Sequence, residues 1–575
     1  MLKRIFSYMQ EYKKYAWLAL ICIGVEVILE IMVPRLMADL IDTGVTNADI
    51  PYIISKGMQM AGCAIAALVL GVGSARFSAL AGQGLGANIR KAEYEKLQSF
   101  SFSNIDHFSV SSLVTRLTSD VTNIQNAVST GMRPFGRSPV MLIFATTFAF
   151  QINATLAMVF LVALPILATL LIIIIVHVGP RYERMQGAVD LVNRCIQENL
   201  TAVRVVKSYV RGEYEIEKFQ AVNDNLKIES EKAFGIAVMN MPAMQFVMYG
   251  TILSILLIGG RLVNAGQMMI GQLTSFLSYV LLILNSLMMM SNVFLLMTRS
   301  LASAGRIMKV IDEPIDITDE NTKRIEVTKG DIEFDHVWFK YKDTAKEYVL
   351  SDVSFHIRAG QTVGIIGQTG SSKTTLIQLI PRLYDVTKGE IKIDGVNVKE
   401  YPVKHLRDAI SVVLQKNTLF SGSLLDNLRW GDENASMEEI EEACSIACVD
   451  EFIDRLQGGF DAQMGQEGVN VSGGQKQRIC IARAILKKPK VLILDDSTSA
   501  VDTATEGKIR NALAKKLPDM TKIIIAQRIS SVCHADQIII MDRGRIDAVG
   551  THESLLKTNK IYQEIYASQK EGVEL

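Results

Sequence analysis

The sequence lacks the features that are typical of a secreted protein, a nucleic-acid-binding protein or a protein stabilised by disulfide bonds. Its 575 residues include only 7 cysteines, an odd number scattered mostly through apolar runs, as expected for reduced and buried thiols. Cys444 and Cys448 lie four residues apart without a second pair nearby, so they do not indicate a metal site. The 60 basic and 60 acidic residues balance. Because there is no basic excess, nucleic acid is not an expected partner.

The N-terminus also lacks the pattern of a signal peptide. It reads MLKRIFSYMQEYKKYAW, and we interpret it as a cytosolic, amphipathic lead into a membrane span. Apolar residues are abundant, at 49% of the chain with a mean hydropathy of +0.23. By contrast, about the last 240 residues are as charged as an ordinary cytosolic domain. We therefore expect a membrane half followed by a soluble half.

Six segments are candidates for helices that cross a bilayer, which needs about twenty largely apolar residues. They are residues 16–37, 53–79, 140–151, 154–178, 239–262 and 270–296. The third is too short unless it begins nearer Gly131. Lysine and arginine collect in the N-terminal lead and in the long segments after spans two and four. By the positive-inside rule, both termini are predicted to be cytosolic.

The long segments after spans two and four keep apolar residues at three- and four-residue spacing and contain few Gly or Pro. This pattern predicts that the spans continue as helices well into the cytosol. Each pair of extended helices should end in a short connecting helix that can contact another domain. We predict these connecting helices near residues 111–118 and 213–219.

A charged stretch without apolar periodicity follows the sixth span and indicates a linker. Beyond it, short β-branched runs such as TVGIIG and VLILDD alternate with turns and helices. That alternation predicts an α/β domain with a mainly parallel central sheet. The predicted domains are a six-span transmembrane domain at 1–308, a linker at 309–330 and a nucleotide-binding domain at 331–575.

The strand TVGIIG leads directly into GQTGSSKTT, which fits the phosphate-loop pattern GxxxxGK[ST] with one departure. Gly367 and Gly370 permit the tight turn, Lys373 would reach the β- and γ-phosphates, and the Thr374 hydroxyl would face Mg²⁺. Ser372 stands where the pattern has glycine, which is a mild disturbance if its backbone stays right-handed. The sequence therefore predicts that the chain binds ATP together with Mg²⁺.

Two further segments carry phosphate chemistry. VLILDD predicts a buried strand that ends in Asp495, which would bind Mg²⁺ directly or through water. Asp496 follows, where a base could polarise the attacking water. NVSGGQKQR places Ser472 and two glycines before an amphipathic helix, where backbone amides and a hydroxyl suit a γ-phosphate presented from outside the domain. Taken alone, SGGQ is also compatible with an ordinary loop.

These pieces, in this order, resemble the ATP-binding cassette (ABC) exporters that carry membrane and nucleotide domains in one chain. The resemblance covers essentially the whole sequence. It implies that Tyr341 stacks on adenine, and that Thr374, Asp495 and the Q-loop glutamine Gln415 hold Mg²⁺. It also implies that MGQEG, before the signature, contacts coupling helices. The nucleotide-binding residues that it implies are Tyr341, Gly367, Gln368, Thr369, Gly370, Ser371, Ser372, Lys373, Thr374, Thr375, Gln415, the signature residues Val471, Ser472, Gly473, Gly474 and Gln475, and the D-loop from Ser499 to Asp502.

Two positions depart from the catalytic pattern of this family. The residue after the Walker B aspartate is normally Glu and is here Asp496, while the switch histidine is here Gln527. A base shortened by one methylene is withdrawn by about an ångström, and misplacement on that scale can cost about 10²-fold in rate. Replacing His by Gln removes a γ-phosphate contact of a particular geometry. The chain's own catalytic positions, Asp496 and Gln527, are therefore predicted to be degenerate.

We interpret the chain as a transport ATPase subunit that resembles the degenerate half of heterodimeric bacterial multidrug exporters. In that family each ATP lies between the Walker motifs of one cassette and the signature of the other. The signature is nearly intact, with only Val471 where the family usually has leucine. The resemblance implies that it completes the catalytic site of a different, intact partner chain. The alternatives are tolerated drift or engineered changes in an active enzyme, a homodimeric peptide, lipid or cofactor exporter with weak ATPase activity, and an ATP-gated channel or regulatory membrane protein.

Ionisable and methionine residues within the spans mark a candidate substrate path. Glu26 and Glu30 lie one turn apart with Arg35 beyond, which fits contact with a cationic substrate, an internal salt bridge or an unselective lining. Met244, Met248 and Met289 in spans five and six fit either a surface that repacks around apolar ligands or plain packing. The expected substrates are hydrophobic or amphipathic compounds, drugs or lipids, that leave the cytosol across the cell membrane.

Overall fold

The computed structural model describes residues 2–320, 322–323, 325–342, 344–496 and 501–571. The chain divides into two compact units. The first comprises Met1–Gln98 and Ser111–Asp312, and the second comprises Ser99–Val110 and Glu313–Leu575. The second unit therefore includes a short stretch of chain that leaves and re-enters the helical unit.

The first unit is built from helices. Their bounds are α1 Leu2–Ser7, α2 Lys13–Asp39, α3 Ile50–Gln98, α5 Val110–Thr115, α6 Val121–Ser129, α7 Met132–Ile152, α8 Ala154–Thr201, α9 Val203–Ser208, α10 Gly212–Val238, α11 Asn240–Asn264 and α12 Ile270–Ile311, and the short helix α4 Phe102–Asp106 belongs to the second unit. Helical turns also cover Gln10–Tyr12, Leu40–Val45 and Arg116–Asp120, the last two with π-helical hydrogen bonding.

Each of the six predicted spans lies in one long helix, except that the fifth begins at Met239, one residue before α11. The third, α7, begins at Met132 directly after Gly131, which supplies the length that the apolar run alone did not have. By length and composition, four helical segments among the described residues can cross a membrane, and a shorter apolar helix lies at Ala154–Leu170. The four segments are Gln10–Val45, Ile50–Gln98, Gly212–Asn264 and Ile270–Met290.

The helices that contain the second and fourth predicted spans continue well past those spans. Helix α3 has 49 residues and α8 has 48. At 1.5 Å per residue, each is about 70 Å long, more than twice the hydrocarbon thickness of a bilayer.

The core of the first unit is apolar, and aromatic side chains anchor it. Phe160 stacks on Phe276, and Tyr279 stacks on Phe148. The Tyr279 hydroxyl donates to the Ile31 carbonyl at 2.8 Å, which satisfies a polar group that is fully buried. These contacts tie α2, α7, α8 and α12 together.

Both predicted connecting helices were placed too late in the chain. Residues 111–118 lie in α5 and the π-helical turn of the first unit, whereas the short helix is α4. Helix α4 begins directly after its N-cap Ser101, because the side chains of Ser101 and Asn104 form a capping box. Residues 213–219 lie in the first turns of α10, and the short helix before it is α9.

The second unit is an α/β domain, with three sheets among its described residues. Its strands are β1 Ile332–Phe339, β2 Leu350–Ile357, β3 Thr362–Gly367, β4 Lys388–Ile393, β5 Val396–Asn397, β6 Ile410–Val413, β7 Gly422–Ser423, β8 Gln463–Met464, β9 Val491–Asp495, β10 Thr521–Ile525, β11 Gln537–Asp542 and β12 Arg545–Gly550. Its other helices are α13 Lys373–Leu379, α14 Val403–Asp408, α15 Leu424–Arg429, α16 Met437–Ile446, α17 Asp450–Ile453, α18 Gly473–Leu486, α19 Thr503–Lys516, α20 Ile529–Val532, α21 His552–Thr558 and α22 Lys560–Glu571.

The largest sheet has the strand order β12-β11-β3-β10-β9-β6. Adjacent strands of this sheet run parallel, except that β11 and β12 are antiparallel to each other. The predicted mainly parallel sheet is therefore confirmed. The runs IEFDHVWF and EIKIDG instead form a separate antiparallel sheet, β2-β1-β4-β5. Because parallel strands end at one edge, the loops after β3, β9 and β10 lie side by side there.

Candidate nucleotide-binding site

A cavity of about 310 Å³ lies at the carboxyl edge of the parallel sheet. It is lined by Thr369, Gly370, Ser371, Ser372, Lys373, Thr374, Thr375, Gln415, Asp495, Asp496, Ile525 and Gln527. The structure thus brings together the predicted phosphate-loop, Q-loop, Walker B and switch residues, which are far apart in sequence. Ile525, the last residue of β10, is a lining residue that the sequence motifs do not indicate.

The loop after β3 wraps around the ammonium group of Lys373. Its Nζ donates to the carbonyl oxygens of Gly367 at 2.8 Å and Gln368 at 3.0 Å. Burial lowers the pKa of Lys373, while the charges of Asp496 and Asp495 oppose that shift. Gly367 has no room for a side chain, because a Cβ there would lie 2.2 Å from the Met541 carbonyl oxygen. The chain therefore holds a cation on a tightly turned loop.

Ser372 does not have a right-handed backbone. A right-handed backbone was the condition under which serine in place of glycine would be only a mild disturbance. Its φ is 71° and its ψ is 23°, a left-handed conformation that favours glycine. For a residue with a Cβ, this conformation costs about 1–2 kcal/mol. Gly370 in the same loop also has a positive φ, 85°, and has no Cβ to strain.

Asp495 carries the acceptor that a hard cation needs. Its side chain is 1% exposed, and the Thr374 hydroxyl donates to Oδ1 at 3.3 Å. Its Oδ2 is buried without a hydrogen-bond partner in the described part of the chain. Burial raises the pKa of Asp495, and the charge of Asp496 adds to that shift. An unpaired carboxylate oxygen beside a hydroxyl fits Mg²⁺, which prefers oxygen ligands.

The two residues that depart from the family pattern bond each other. Gln527 Nε2 donates to Asp496 Oδ2 at 2.7 Å. Burial raises the pKa of Asp496, although the bond to Gln527 and the charge of Lys373 oppose that shift. Asp496 also has a left-handed backbone, with φ 48°. The carboxylate in the position of the base is thus both short and held by the switch residue.

Tyr341 lies beside the phosphate loop and not in its cavity. The Tyr341 hydroxyl and Thr375 Oγ1 are hydrogen-bonded at 2.9 Å, and the ring is 43% exposed. It meets Tyr384 edge-on, with ring centroids 5.2 Å apart. The Tyr384 hydroxyl donates to Asp106 Oδ2 at 2.7 Å, so an aromatic pair joins this position to α4 within the second unit. The sequence motifs did not indicate Tyr384. The only sign of it in the sequence is its place in the segment RLYD, shortly after the phosphate loop.

The signature residues lie outside the set that lines the phosphate cavity. Ser472 caps α18, where it and Gln475 form a capping box that leaves Gly473 and Gly474 in the first turn. Asp502 caps α19 by accepting from the Thr505 backbone N–H, which lowers the pKa of Asp502. The predicted D-loop residue Ser499 lies outside the described residues.

The candidate substrate-path residues occupy different environments. Glu26 and Glu30 form ion pairs with two arginines of α7 and not with Arg35. Met244 is 3% exposed within the apolar core, and Met248 packs against it. Met289 is 41% exposed.

Membrane-length helices joined to a parallel sheet with a phosphate loop, a Walker B carboxylate and a capped SGGQ helix define a membrane-bound nucleotide-driven ATPase. Comparison with known proteins specifies the class. Residues 16–287 match the ABC transporter transmembrane region, and residues 350–499 match the ABC transporter family. The chain belongs to the ABC transporter family and is an exporter half-transporter that binds ATP.

Relatives match this chain over most or all of their length. The uncharacterized ABC transporter ATP-binding protein YfiB of Bacillus subtilis is 37% identical over 575 residues, covering 100% of both chains. The ATP-dependent lipid A-core flippase of Pseudomonas putida is 32% identical over 481 residues, 84% of this chain and 79% of that protein. A bacterial Atm1-family ABC exporter, solved with ATP bound, has the same fold, with a TM-score of 0.84 and 22% identity over 97% of this chain and 99% of that one.

Proposed function

We propose that this chain is one subunit of a heterodimeric exporter in which its own ATP site hydrolyses poorly. In this proposal its signature helix completes the catalytic site of a different half-transporter, which carries an intact base and switch histidine. Its own Walker motifs hold ATP and Mg²⁺ mainly to keep the two nucleotide domains together. The proposal separates two roles that a symmetric dimer would combine in each chain.

The observation that carries this proposal is the 2.7 Å hydrogen bond from Gln527 to Asp496. A general base must have a free carboxylate oxygen within hydrogen-bonding reach of the attacking water. Asp496 is one methylene shorter than glutamate, and one of its oxygens already accepts from the switch residue. Both departures from the pattern therefore reduce the same step, the activation of water.

The remaining residues of the pocket are suited to binding. Lys373 would hold the β- and γ-phosphates, while Thr374, Gln415 and Asp495 would hold Mg²⁺. The bound metal would neutralise charge on the phosphate oxygens. Tyr341 would offer its exposed ring to adenine. These groups bind and orient nucleotide without supplying an effective base.

The membrane half supports an amphipathic substrate. Relatives named lipid A-core flippases suggest lipid-like cargo, and the six predicted spans would provide a path across a bilayer. We propose a transmembrane domain at 1–308, a linker at 309–330 and a nucleotide-binding domain at 331–575. We also propose that the protein lies in the cell membrane with both termini cytosolic, as the distribution of Lys and Arg predicts.

The test is ATP hydrolysis by the purified chain alone and by the chain co-purified with a candidate partner half. We expect the isolated chain to hydrolyse ATP at least about 10²-fold more slowly than the complex. Replacing the catalytic glutamate of the partner should abolish turnover of the complex. Robust ATP hydrolysis by the isolated chain would refute the heterodimer.

A further inference from the structure

An ion-paired cluster lies inside the helical unit. Glu26 of α2 is 2% exposed and accepts from Arg133 Nη2 at 2.6 Å and from Arg137 Nη1 at 3.2 Å. Arg137 also donates to Glu30 Oε2 at 2.6 Å. Two carboxylates and two guanidinium groups therefore balance to zero charge.

One acceptor in this cluster lacks a hydrogen-bond donor among the described residues. Glu26 Oε2 is buried and has no hydrogen-bond partner among the residues that the structure describes. A buried acceptor without a partner is costly, and within a membrane span water is an unreliable substitute. Glu26, Glu30 and Arg133 line the same cavity of about 790 Å³. Its size falls within the usual range for ligand sites, about 300–1,000 Å³.

Apart from Ser278, the rest of the cavity is apolar, and small side chains shape it. Ala64, Ala67, Gly71 and Ala75 lie at helical spacing on α3, and Leu281 and Leu282 of α12 also line the space. Gly71 stands directly beside the cluster. A Cβ there would lie 3.2 Å from Glu26 Oε1 and 3.3 Å from Arg133 Nη2. The wall thus leaves room beside the polar end for an apolar chain.

The charge balance restricts what the polar end can hold. A ligand with a net charge would leave one charge uncompensated in a medium of low dielectric. Glu26 Oε2 nevertheless requires a hydrogen-bond donor. The Arg133 side chain is 40% exposed while it lines the cavity, so its guanidinium is accessible to an anionic oxygen. A zwitterion satisfies both groups and adds no net charge.

We propose that this cavity binds an amphipath with a zwitterionic headgroup whose cation carries N–H donors, such as an aminophospholipid. The ammonium group donates to Glu26 Oε2, the phosphate accepts from Arg133, and the acyl chains lie along the α3 wall. The assignment of this ligand as transported cargo rests on the export function proposed above. Its binding does not.

The test compares two lipids with identical tails on the purified full-length chain without nucleotide. Dioleoylphosphatidylethanolamine carries N–H donors, and dioleoylphosphatidylcholine has none. Native mass spectrometry should show about tenfold tighter retention of the ethanolamine lipid, the value of one charge-assisted hydrogen bond. Equal retention of the two lipids would overturn the site.

Single substitutions test whether the preference for the ethanolamine lipid arises at this cavity. Glu26→Gln should abolish it, whereas Asp39→Asn should preserve it, because the 2.9 Å ion pair of Asp39 with Lys56 joins the same two helices outside the cavity. A preference that survives Glu26→Gln, or that Asp39→Asn also removes, would contradict the assignment. If Glu26→Gln does not fold, Ala67→Leu fills the wall without altering a charge and should weaken retention of both lipids at least severalfold. Unchanged retention in Ala67→Leu would likewise exclude the cavity.

Transport is measured separately, with tail-labelled versions of both lipids in vesicles that contain the complex and ATP. Selective binding without ATP-driven movement of either lipid would contradict the export of this ligand and leave the site standing. ATP-driven movement of both lipids at equal rates, together with equal retention, would contradict the site and leave the exporter standing.

Discussion

The chain carries two parts of an ATP site, and they differ in how well their local structure is formed. At the signature, Ser472 and Gln475 close a regular capping box on a 14-residue helix. In the chain's own pocket, Ser372 and Asp496 have left-handed backbones, and Gln527 bonds the carboxylate in the position of the base. The nearly intact part is the signature, which in the family that this chain resembles acts across a dimer interface.

This contrast indicates where selection for chemistry would act. A signature that serves a partner's site must keep its hydroxyl and backbone amides in place. A pocket that only binds nucleotide tolerates strain and a short carboxylate, provided that Lys373 and Asp495 remain. If the contrast is functional, damage to the two parts should have very unequal effects.

The largest effect is expected at the signature. Ser472→Ala removes the hydroxyl that would contact the γ-phosphate in the partner's site. ATP turnover of the two-chain complex should fall about 10²–10³-fold, the usual cost of losing one preorganised donor. Asp496→Asn in the same complex should change turnover by less than about threefold, because this chain's base is already ineffective. Steady-state ATP hydrolysis measures both.

The control for this prediction is Ser472→Thr, which keeps both the hydroxyl and the helix cap. Turnover in Ser472→Thr should stay near that of the unmodified complex. A reversed order, in which Asp496→Asn is the more damaging variant, would show that this chain's pocket is the catalytic one.

The next effect is a gain in the chain's own pocket. Asp496→Glu combined with Gln527→His should raise ATP hydrolysis by the isolated chain about 10²-fold, because the base advances by about one ångström and is no longer held by the amide. Adding Ser472→Ala to this variant should abolish the gain, since a homodimer would use its own signature. If the double variant stays inactive, these two positions are not the limiting ones.

The sequence predicts much of this contrast because the motifs are local. VLILDD and TVGIIG are buried parallel strands, and parallel strands bring the residues that follow them to one edge. The departures at Asp496 and Gln527 are visible in the sequence for the same reason. Their mutual hydrogen bond is not, since it depends on the register of β9 against β10, where Asp495 pairs with Ile525.

Other features depend on long-range packing or on the sign of a dihedral angle. Arg133 and Arg137 lie more than 100 residues from Glu26, and only the packing of α7 on α2 makes them its partners. The left-handed φ of Ser372 follows from the loop geometry and not from residue preference. The position of α4 was accessible from the capping pattern of Ser101 and Asn104, which apolar periodicity does not detect.

A third effect concerns the pH dependence of the binding part. Burial raises the pKa of Asp495, so ionising this carboxylate costs the metal-free folded state. Stability of the metal-free protein should therefore be greatest below the ordinary Asp pKa and decline as the pH rises through the raised value. Asp495→Asn should remove this decline and raise the stability at pH 7, because the amide that replaces the carboxylate carries no charge to bury. Thermal unfolding without metal measures both proteins.

The control for Asp495 is the addition of Mg²⁺ and ATP. The unmodified chain should recover stability because the open Oδ2 gains a ligand, whereas Asp495→Asn should gain less. Equal stabilisation of the two proteins would show that Asp495 does not hold the metal.

The smallest effect tests whether the strain at Ser372 belongs to the bound pocket. Ser372→Gly removes the Cβ from a φ of 71°, a relief that we put at about 1 kcal/mol. It should tighten binding of a fluorescent ATP analogue about fivefold. Ser372→Ala keeps the Cβ and loses only the hydroxyl, so it should show no gain in affinity.

Gly370→Ala makes the opposite change in the same loop, where a Cβ would meet no atom within 4 Å and φ is 85°. It should weaken binding by at least about the same factor, since its cost is conformational alone. If Ser372→Gly and Ser372→Ala bind the ATP analogue with equal affinity, the hydroxyl and not the backbone sets the affinity of this loop. The contrast with the signature would then rest on Asp496 and Gln527 only.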